Sequence, residues 1–275
     1  MTKDIYPLYT QVQENPRTIC RELSADVFTY PFFNEGVSKS YTNNSNSYTL
    51  DDLEINEAAD DLILKGLIFT TSHCGSTLLS GMLSKLPEVR VVSEPEAING
   101  LLLSAVLHQM EADEVILILR KIVRLYSKGA RPEKYLVFKL TSWNVFQIEL
   151  FKQAFPNVKW LFLHREEESL LSSLERSDGG FIDWWEHPVD VLRKHFLPTG
   201  KEIQSTRDYL LEMIRGHKHK AVQARDENSL FLEYPGFIEN FEEILTHLGI
   251  GTGEEDIANA LKLLAYDSKT LEKRM

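Results

Sequence analysis

A turn of small and hydroxyl residues joins a predicted strand to a predicted helix in the segment FTTSHCGSTLLSGM, residues 69–82. The first N–H groups of a helix have no partners within the helix, and the helix dipole adds partial positive charge at that end. Gly75 lies in the turn, and Ser76 and Thr77 follow it. The pattern therefore predicts a binding site for an anion such as a phosphate or a sulfate.

Two other anion-binding turns fit this segment poorly. The Walker A pattern requires a first glycine and a lysine, but Thr70 and Ser76 stand at those positions. A cysteine phosphatase would use Cys74 as its nucleophile and would need an arginine six positions later, where Ser80 stands. A helix start can lower the pKa of a thiol, but the simpler interpretation is that Cys74 is a small residue filling a tight turn.

Five short apolar segments must position this turn and the other polar residues. They alternate with helical patterns, and each is apolar along its length, as in strands of a parallel sheet that is covered on both faces. The segments are LILKGLIFTTS, VRVVS, YLVFKL, VKWLFLH and SLFLEY. The sequence therefore predicts an α/β fold, a three-layer sandwich with a central parallel sheet.

The polar residues that follow these segments are expected to meet at one edge of the sheet. In such sheets ligands bind at the carboxyl ends of the strands. The residues concerned are 71–75, 93–96, 139–142 and 164–165. We expect a single site there.

Two segments together resemble the sulfotransferase family. SHCGSTLLSGMLSKLPEV is similar to the family's 5′-phosphosulfate loop. WLFLHREEESLLSSLER is similar to its 3′-phosphate element, in which an arginine ends a strand and a serine follows eight positions later, here Arg165 and Ser173. Weaker likenesses, around YLVFKL and SLFLEY, extend the resemblance over residues 62–250 in the expected order. The chain resembles a divergent, bacterial-type member of this family, and the resemblance implies a P-loop-like fold.

The resemblance implies that the chain binds 3′-phosphoadenosine 5′-phosphosulfate (PAPS) without a metal ion. It implies transfer of the sulfuryl group to a hydroxyl or amine of a small-molecule or peptide acceptor. Arg165 and Ser173 would hold the 3′-phosphate, and Lys269 would be a further contact. The 5′-phosphosulfate would be held by Ser72, His73, Cys74, Gly75, Ser76 and Thr77.

The catalytic residues implied by the resemblance are Lys139, His73 and Glu94. The first two would donate hydrogen bonds to the oxygen from which the sulfuryl group departs, and Glu94 would accept the proton of the acceptor. His73 stands where the family usually has lysine or arginine, and Thr141 stands where many members have histidine. Glu94 and Glu96 are also acidic residues before a helix, where they would interact only with its dipole.

Other interpretations remain open beside the enzyme. The chain could be a nucleotide-binding protein that keeps the fold without catalysis, or another phosphate-handling enzyme with the same loop. Arg165 could form surface ion pairs with Glu166–Glu168. His217 and His219 lie on a predicted helix, Glu202–Arg225, where residues two apart point in different directions, so we interpret them as part of a solvated face.

Charge and composition exclude several classes of function. The formal net charge of −11 disfavours a nucleic-acid partner. The chain has no apolar run of about 18 residues and no signal-peptide pattern at its N-terminus, so we expect a cytoplasmic protein without a membrane span. Cys20 and Cys74 lack the spacing of a zinc site. Residues 1–60 are predicted to form an N-terminal cap or extension before a domain of residues 61–275, with a loop over Asn34–Thr49.

Overall fold

The computed structural model describes residues 3–40, 46–129, 132–177, 184–197 and 202–266. The strands there are β1 (Lys3–Thr10), β2 (Thr18–Ser24), β3 (Ser47–Thr49), β4 (Ile63–Thr70), β5 (Val89–Ser93), β6 (Tyr135–Lys139), β7 (Lys159–Arg165) and β8 (Ser229–Tyr234). The α-helices are α1 (Phe33–Ser40), α2 (Ser76–Ser84), α3 (Glu96–His108), α4 (Ala112–Tyr126), α5 (Ile148–Ala154), α6 (Glu167–Glu175), α7 (Asp190–Phe196), α8 (Thr206–Gln223), α9 (Phe241–Leu248) and α10 (Glu254–Leu261).

Strands β4 to β8 form a parallel sheet in the order β5-β6-β4-β7-β8. Successive residues of a strand point to opposite faces, so the sheet contributes to two hydrophobic cores. Phe69 packs with residues of α3, α4, α5, α6 and α8, whereas Ile68 packs with residues of α2, α9 and α10. Helices therefore cover both faces, and the predicted α/β three-layer sandwich with a central parallel sheet is confirmed.

The carboxyl ends of the parallel strands meet at one edge, as the sequence predicted. Lys139, the last residue of β6, is opposite Ser93 of β5 and Ile68 of β4. Arg165, the last residue of β7, is opposite Tyr234, the last residue of β8. The turn after β4 lies between these two pairs of strands, so one edge of the sheet brings all the predicted polar segments together.

Residues 3–40 and 46–60, which we call the N-terminal unit, contain the antiparallel sheet β1-β2-β3 and helix α1. The prediction of a loop over Asn34–Thr49 is wrong where this segment is described, because α1 extends to Ser40 and β3 begins at Ser47. Phe33 is 1% exposed, and Gly36 lies against the Val27 carbonyl, where a Cβ atom would clash. Packing therefore orders this polar segment. The division at residue 60 stays a prediction.

A buried arginine joins the N-terminal unit to the parallel sheet. Arg90 of β5 is 1% exposed, pairs with Glu133 and donates hydrogen bonds to the Tyr6 hydroxyl (3.3 Å) and the Tyr126 carbonyl (3.0 Å). Its guanidinium carbon lies 4.6 Å from the centre of the Phe28 ring. A buried charge requires partners of this kind. These contacts hold the segment around Phe28 against the sheet.

The interpretation of His217 and His219 as a solvated face is wrong for His217. Both residues lie on α8, but His217 is 1% exposed and its ring centre lies 5.2 Å from that of Phe146. Neither of its ring nitrogens has a hydrogen-bond partner among the residues that the structure describes. Burial lowers the pKa of His217 to about 3. The residue is therefore neutral in the folded protein at neutral pH.

This burial makes stability depend on pH. The unfolded chain binds a proton at His217 below about pH 6.5, whereas the folded protein does so only near pH 3. Protonation therefore favours the unfolded chain. The contribution of neutral His217 to the free energy of unfolding is complete above about pH 6.5 and is lost as the pH falls toward 3. Between pH 7.5 and pH 5 the free energy of unfolding should fall by about 2 kcal/mol through this group. Urea unfolding of His217→Leu should lack this loss, whereas His219→Leu, on the same helix but exposed, should retain it. The same decrease in all three proteins would contradict the prediction.

Candidate active site

A cavity of about 460 Å³ opens at the carboxyl edge of the parallel sheet. Nine of the residues predicted for the site line it. These residues are Ser72, His73, Gly75, Ser76, Thr77, Glu94, Lys139, Arg165 and Ser173. Two aromatic residues of the cavity wall, Phe32 and Tyr234, were not predicted from the sequence.

The turn after β4 has an unusual backbone conformation. Ser72, His73 and Gly75 have positive φ values of 63°, 43° and 85°. Residues other than glycine adopt such values at a cost of roughly 1–2 kcal/mol. The Ser72 N–H donates to the Thr70 hydroxyl (3.0 Å), which helps to hold this shape. Gly75, the residue before α2, has no side chain to cap this helix end, and a helix start of this kind can bind an anion through its first amides.

Cys74 is buried below the turn. Its sulfur lies 2.8 Å from the Thr70 hydroxyl oxygen and 3.2 Å from the carbonyl oxygen of Leu163. Burial raises the pKa of the Cys74 thiol, which is the opposite of what a nucleophilic cysteine needs. The structure therefore supports the interpretation of Cys74 as a small residue filling the turn, and any contact with a ligand would come from its backbone.

Tyr234 packs between the turn and Arg165. A Cβ atom on Gly75 would lie 2.5 Å from Cδ2 of Tyr234, so only glycine fits beneath the ring. The guanidinium carbon of Arg165 lies 5.1 Å from the centre of the same ring, within the range of a cation–π contact. The tyrosine thus connects the 5′ loop predicted from sequence with the predicted 3′-phosphate arginine.

Arg165 does not form the surface ion pairs that were the alternative. Its Nε donates to the Ser169 hydroxyl at 2.8 Å, and it has no ion pair within the described part of the chain. The three glutamates that follow it have other partners. Glu166 accepts hydrogen bonds from the amides of Glu168 and Ser169, Glu167 pairs with Arg215, and Glu168 pairs with Arg207.

Ser173 joins helix α6 to the turn. Its hydroxyl oxygen lies 3.2 Å from Nδ1 of His73. The two sequence motifs, which are separated by about 90 residues, therefore meet through a side-chain contact. The hydroxyl of Ser173 and the ring of His73 both line the cavity.

An ion pair between Lys139 and Glu94 lies at the other end of the cavity. Lys139 is 2% exposed, although it lines the cavity. Glu94 has a φ of 49°, and its N–H donates to the Lys139 carbonyl at 2.7 Å. Glu94 therefore lies outside helix α3 and contacts Lys139, whereas Glu96 is the first residue of α3 and does not line the cavity. This favours Glu94 over Glu96 as the group with a chemical role.

Two further histidines, His187 and His195, do not line the cavity and pack in an aromatic cluster with Trp184 and Phe196. Lys269 lies outside the described residues. In the described ranges no group of three His, Cys, Asp or Glu side chains could hold a metal ion, and no helix is long and apolar enough to cross a membrane.

No family model matches the sequence, and no curated protein matches it. Among solved structures, a mouse sulfotransferase complexed with PAP aligns with 14% identity over 81% of this chain and 73% of that chain, at a TM-score of 0.41. The sulfotransferase domain of a Synechococcus olefin synthase aligns with 14% identity over 81% of this chain and 85% of that chain, at a TM-score of 0.43.

A third solved structure, from Mycobacterium tuberculosis, aligns with 13% identity over 76% of this chain and 73% of that chain, at a TM-score of 0.45. All three are sulfotransferases. This is the family that the two sequence motifs resemble. Because the likeness is distant, we take the chemistry of this chain from its own side chains.

Proposed function

We propose that this protein binds PAPS in the cavity and transfers its sulfuryl group to a hydroxyl or amine of a small-molecule or peptide acceptor. The observation that carries the proposal is the meeting of two anion-binding elements in one cavity. The turn before α2 and the Arg165–Ser173 element both line it, and the His73 ring lies 3.2 Å from the Ser173 hydroxyl. A ligand with two separate anionic groups suits such a site.

The arrangement favours a nucleotide with phosphates on both sides of its ribose. Backbone N–H groups and the hydroxyls of Ser76 and Thr77 would hold the 5′-phosphosulfate. Arg165 would hold the 3′-phosphate, because its planar guanidinium can donate two hydrogen bonds to one phosphate. ATP suits the cavity less well, since Ser76 stands where the Walker lysine would contact the β- and γ-phosphates.

The ion pair at the other end supplies the groups that transfer requires. The acceptor oxygen or nitrogen would attack sulfur and give its proton to the Glu94 carboxylate. A bond from the acceptor to sulfur forms while the bond from sulfur to the 5′-phosphate oxygen breaks. Lys139 and His73 would stabilise the negative charge that develops on that oxygen. The products are the sulfated acceptor and 3′-phosphoadenosine 5′-phosphate (PAP).

Thermal unfolding with added nucleotides tests this function. PAP at a hundredfold excess over its dissociation constant should stabilise the protein by about 2.7 kcal/mol. ATP with Mg²⁺ at the same concentration should produce a much smaller shift. Absence of a PAP shift would exclude the proposed function. A PAP shift without sulfate transfer to any of a panel of hydroxyl and amine acceptors would favour the nucleotide-binding protein without catalysis.

A further inference from the structure

His73 connects the two proposed phosphate sites. It lies in the turn before α2 and lines the cavity, and its Nδ1 atom lies 3.2 Å from the hydroxyl oxygen of Ser173. Both residues are half-buried. The turn belongs to the proposed 5′-phosphosulfate site, and Ser173 belongs to the proposed 3′-phosphate site. The charge of one imidazole ring can therefore affect both ends of the nucleotide.

The hydrogen that Ser173 can donate to a phosphate depends on the protonation state of His73. A neutral imidazole has one N–H donor and one bare nitrogen, and a serine hydroxyl has one hydrogen. If Nδ1 is bare, it accepts the Ser173 hydrogen, and none is left for the 3′-phosphate. If Nδ1 carries the hydrogen, Nε2 is bare and cannot donate to the 5′-phosphosulfate. Only the protonated ring, with two N–H donors, leaves one donor for each end of the nucleotide.

The other charged and titratable groups of the cavity come from several elements. Glu94, Lys139, Arg165 and Tyr234 line it at the ends of β5, β6, β7 and β8, Ser173 and Ser177 line it from the α6 side, and Cys74 lies below the turn. Glu94 and Lys139 offset each other in their ion pair. Burial raises the pKa of Cys74, so the thiol stays neutral, and a tyrosine hydroxyl is neutral near pH 7. The Arg165 cation therefore disfavours a second positive charge on His73 while the cavity is empty.

A bound nucleotide reverses this balance. The two phosphates of PAP together carry about four negative charges near neutral pH, and an opposite charge close to a histidine favours its protonated form. Histidine is the side chain whose ordinary pKa, about 6.5, lies nearest to neutral pH. His73 should therefore take up a proton when the nucleotide binds, and binding should weaken as the pH rises. The lysine or arginine that the family usually has at this position would stay charged and would give no such dependence.

We propose that His73 is a proton-dependent switch of the nucleotide site: its protonated form binds the nucleotide, and the added proton frees the Ser173 hydroxyl for the 3′-phosphate. This inference rests on the proposed function. On binding, the ring takes one proton from solvent, Nδ1–H donates to the Ser173 oxygen, and the Ser173 hydroxyl donates to the phosphate. The affinity for PAPS, and with it the rate of transfer at low PAPS concentration, then falls as the surroundings become alkaline.

Titration calorimetry with PAP at pH 7.0 and pH 8.5 tests the role of His73. The phosphates keep their charge over this range, because their second pKa is about 6. The wild-type affinity should fall about tenfold, since opposite charges of this kind raise a pKa by about 1–3. At pH 7.0, two buffers of different ionisation enthalpy should reveal proton uptake on binding.

Two variants of His73 and one matched histidine control complete this test. His73→Lys should bind PAP with the same affinity at both pH values. His73→Asn, a residue that tolerates the positive φ of 43° at this position, should bind more weakly than the wild-type protein at pH 7.0 and show no pH dependence. His219→Gln, an exposed change on α8 outside the cavity, should keep the wild-type tenfold loss.

Adenosine 5′-phosphate separates the role of Ser173 from a general effect of charge. This ligand lacks the 3′-phosphate, so its affinity for the wild-type protein should fall only about threefold over the same pH range. Ser173→Ala should remove the difference in pH dependence between the two ligands. Ser172→Ala, a change of an exposed serine on the same helix outside the cavity, should keep it.

The outcomes separate this inference from the proposed function. If PAP does not bind to the wild-type protein at either pH, the proposed function fails. If PAP binds equally well at both pH values, or if His73→Lys loses affinity as the wild-type protein does, the role of His73 is wrong and the proposed function stands. If both ligands lose affinity equally, or if Ser173→Ala keeps their difference, the role of Ser173 is wrong. A tenfold loss for PAP that requires His73, with a smaller loss for adenosine 5′-phosphate, supports the proposal.

Discussion

Replacement of Lys139 by methionine should lower the rate of sulfuryl transfer by about 10²–10³-fold, the usual effect of removing one donor that stabilises developing charge. The lysine ends β6, is 2% exposed and pairs with Glu94 in the cavity. Methionine keeps an unbranched side chain of similar size but removes the ammonium group. Since the charge on the leaving oxygen develops only during transfer, the effect should fall on the rate rather than on nucleotide binding.

Single-turnover measurement of sulfate transfer from PAPS, alongside PAP binding to the same variant, checks this expectation. Lys134→Met is the matched control, because Lys134 lies just before the same strand, is exposed and pairs with Glu88 outside the cavity. An unchanged transfer rate in Lys139→Met would show that the ammonium group has no part in the reaction. A loss of PAP binding equal to the loss of rate would place Lys139 in nucleotide binding instead.

Replacement of Arg165 by methionine should weaken PAP binding by about 10–100-fold, the effect of losing charge-assisted hydrogen bonds to one phosphate. Arg165 is placed for this contact by Ser169, at 2.8 Å, and by the Tyr234 ring beneath it. Titration calorimetry of PAP with the variant measures the effect. Arg207→Met is the control, because Arg207 is exposed on α8 and pairs only with Glu168 and Glu175 within the described residues. Equal losses in both variants would indicate a general electrostatic effect rather than a binding site.

The sequence predicted the parallel sheet because its strands are covered on both faces. Phe69 and Ile68 are neighbours in one strand, and each packs in a different core. Such strands are apolar at nearly every position, and this pattern can be read without knowledge of their neighbours. The position of the site at the carboxyl edge could be predicted from the same apolar pattern, since Lys139 and Arg165 are the last residues of two of these strands.

Residues that depend on contacts between distant segments could not be predicted in this way. Phe32 reaches Lys139 across 107 positions of sequence, and the polar residues around α1 gave no periodic signal for a helix. The aromatic run YPFF at residues 30–33 was the available sign that this segment is packed. His217 was misinterpreted for a similar reason, because its neighbours on α8 are charged while Phe146 covers its ring.

The central claim is that one cavity binds the phosphates on both sides of a single nucleotide, and calorimetry with PAP and adenosine 5′-phosphate tests it most directly. The two ligands differ only in the 3′-phosphate. The wild-type protein should bind PAP about 100-fold more tightly, since several charge-assisted hydrogen bonds are lost with that group, and Arg165→Met should remove most of the difference. Equal affinity of the wild-type protein for the two ligands would contradict the claim.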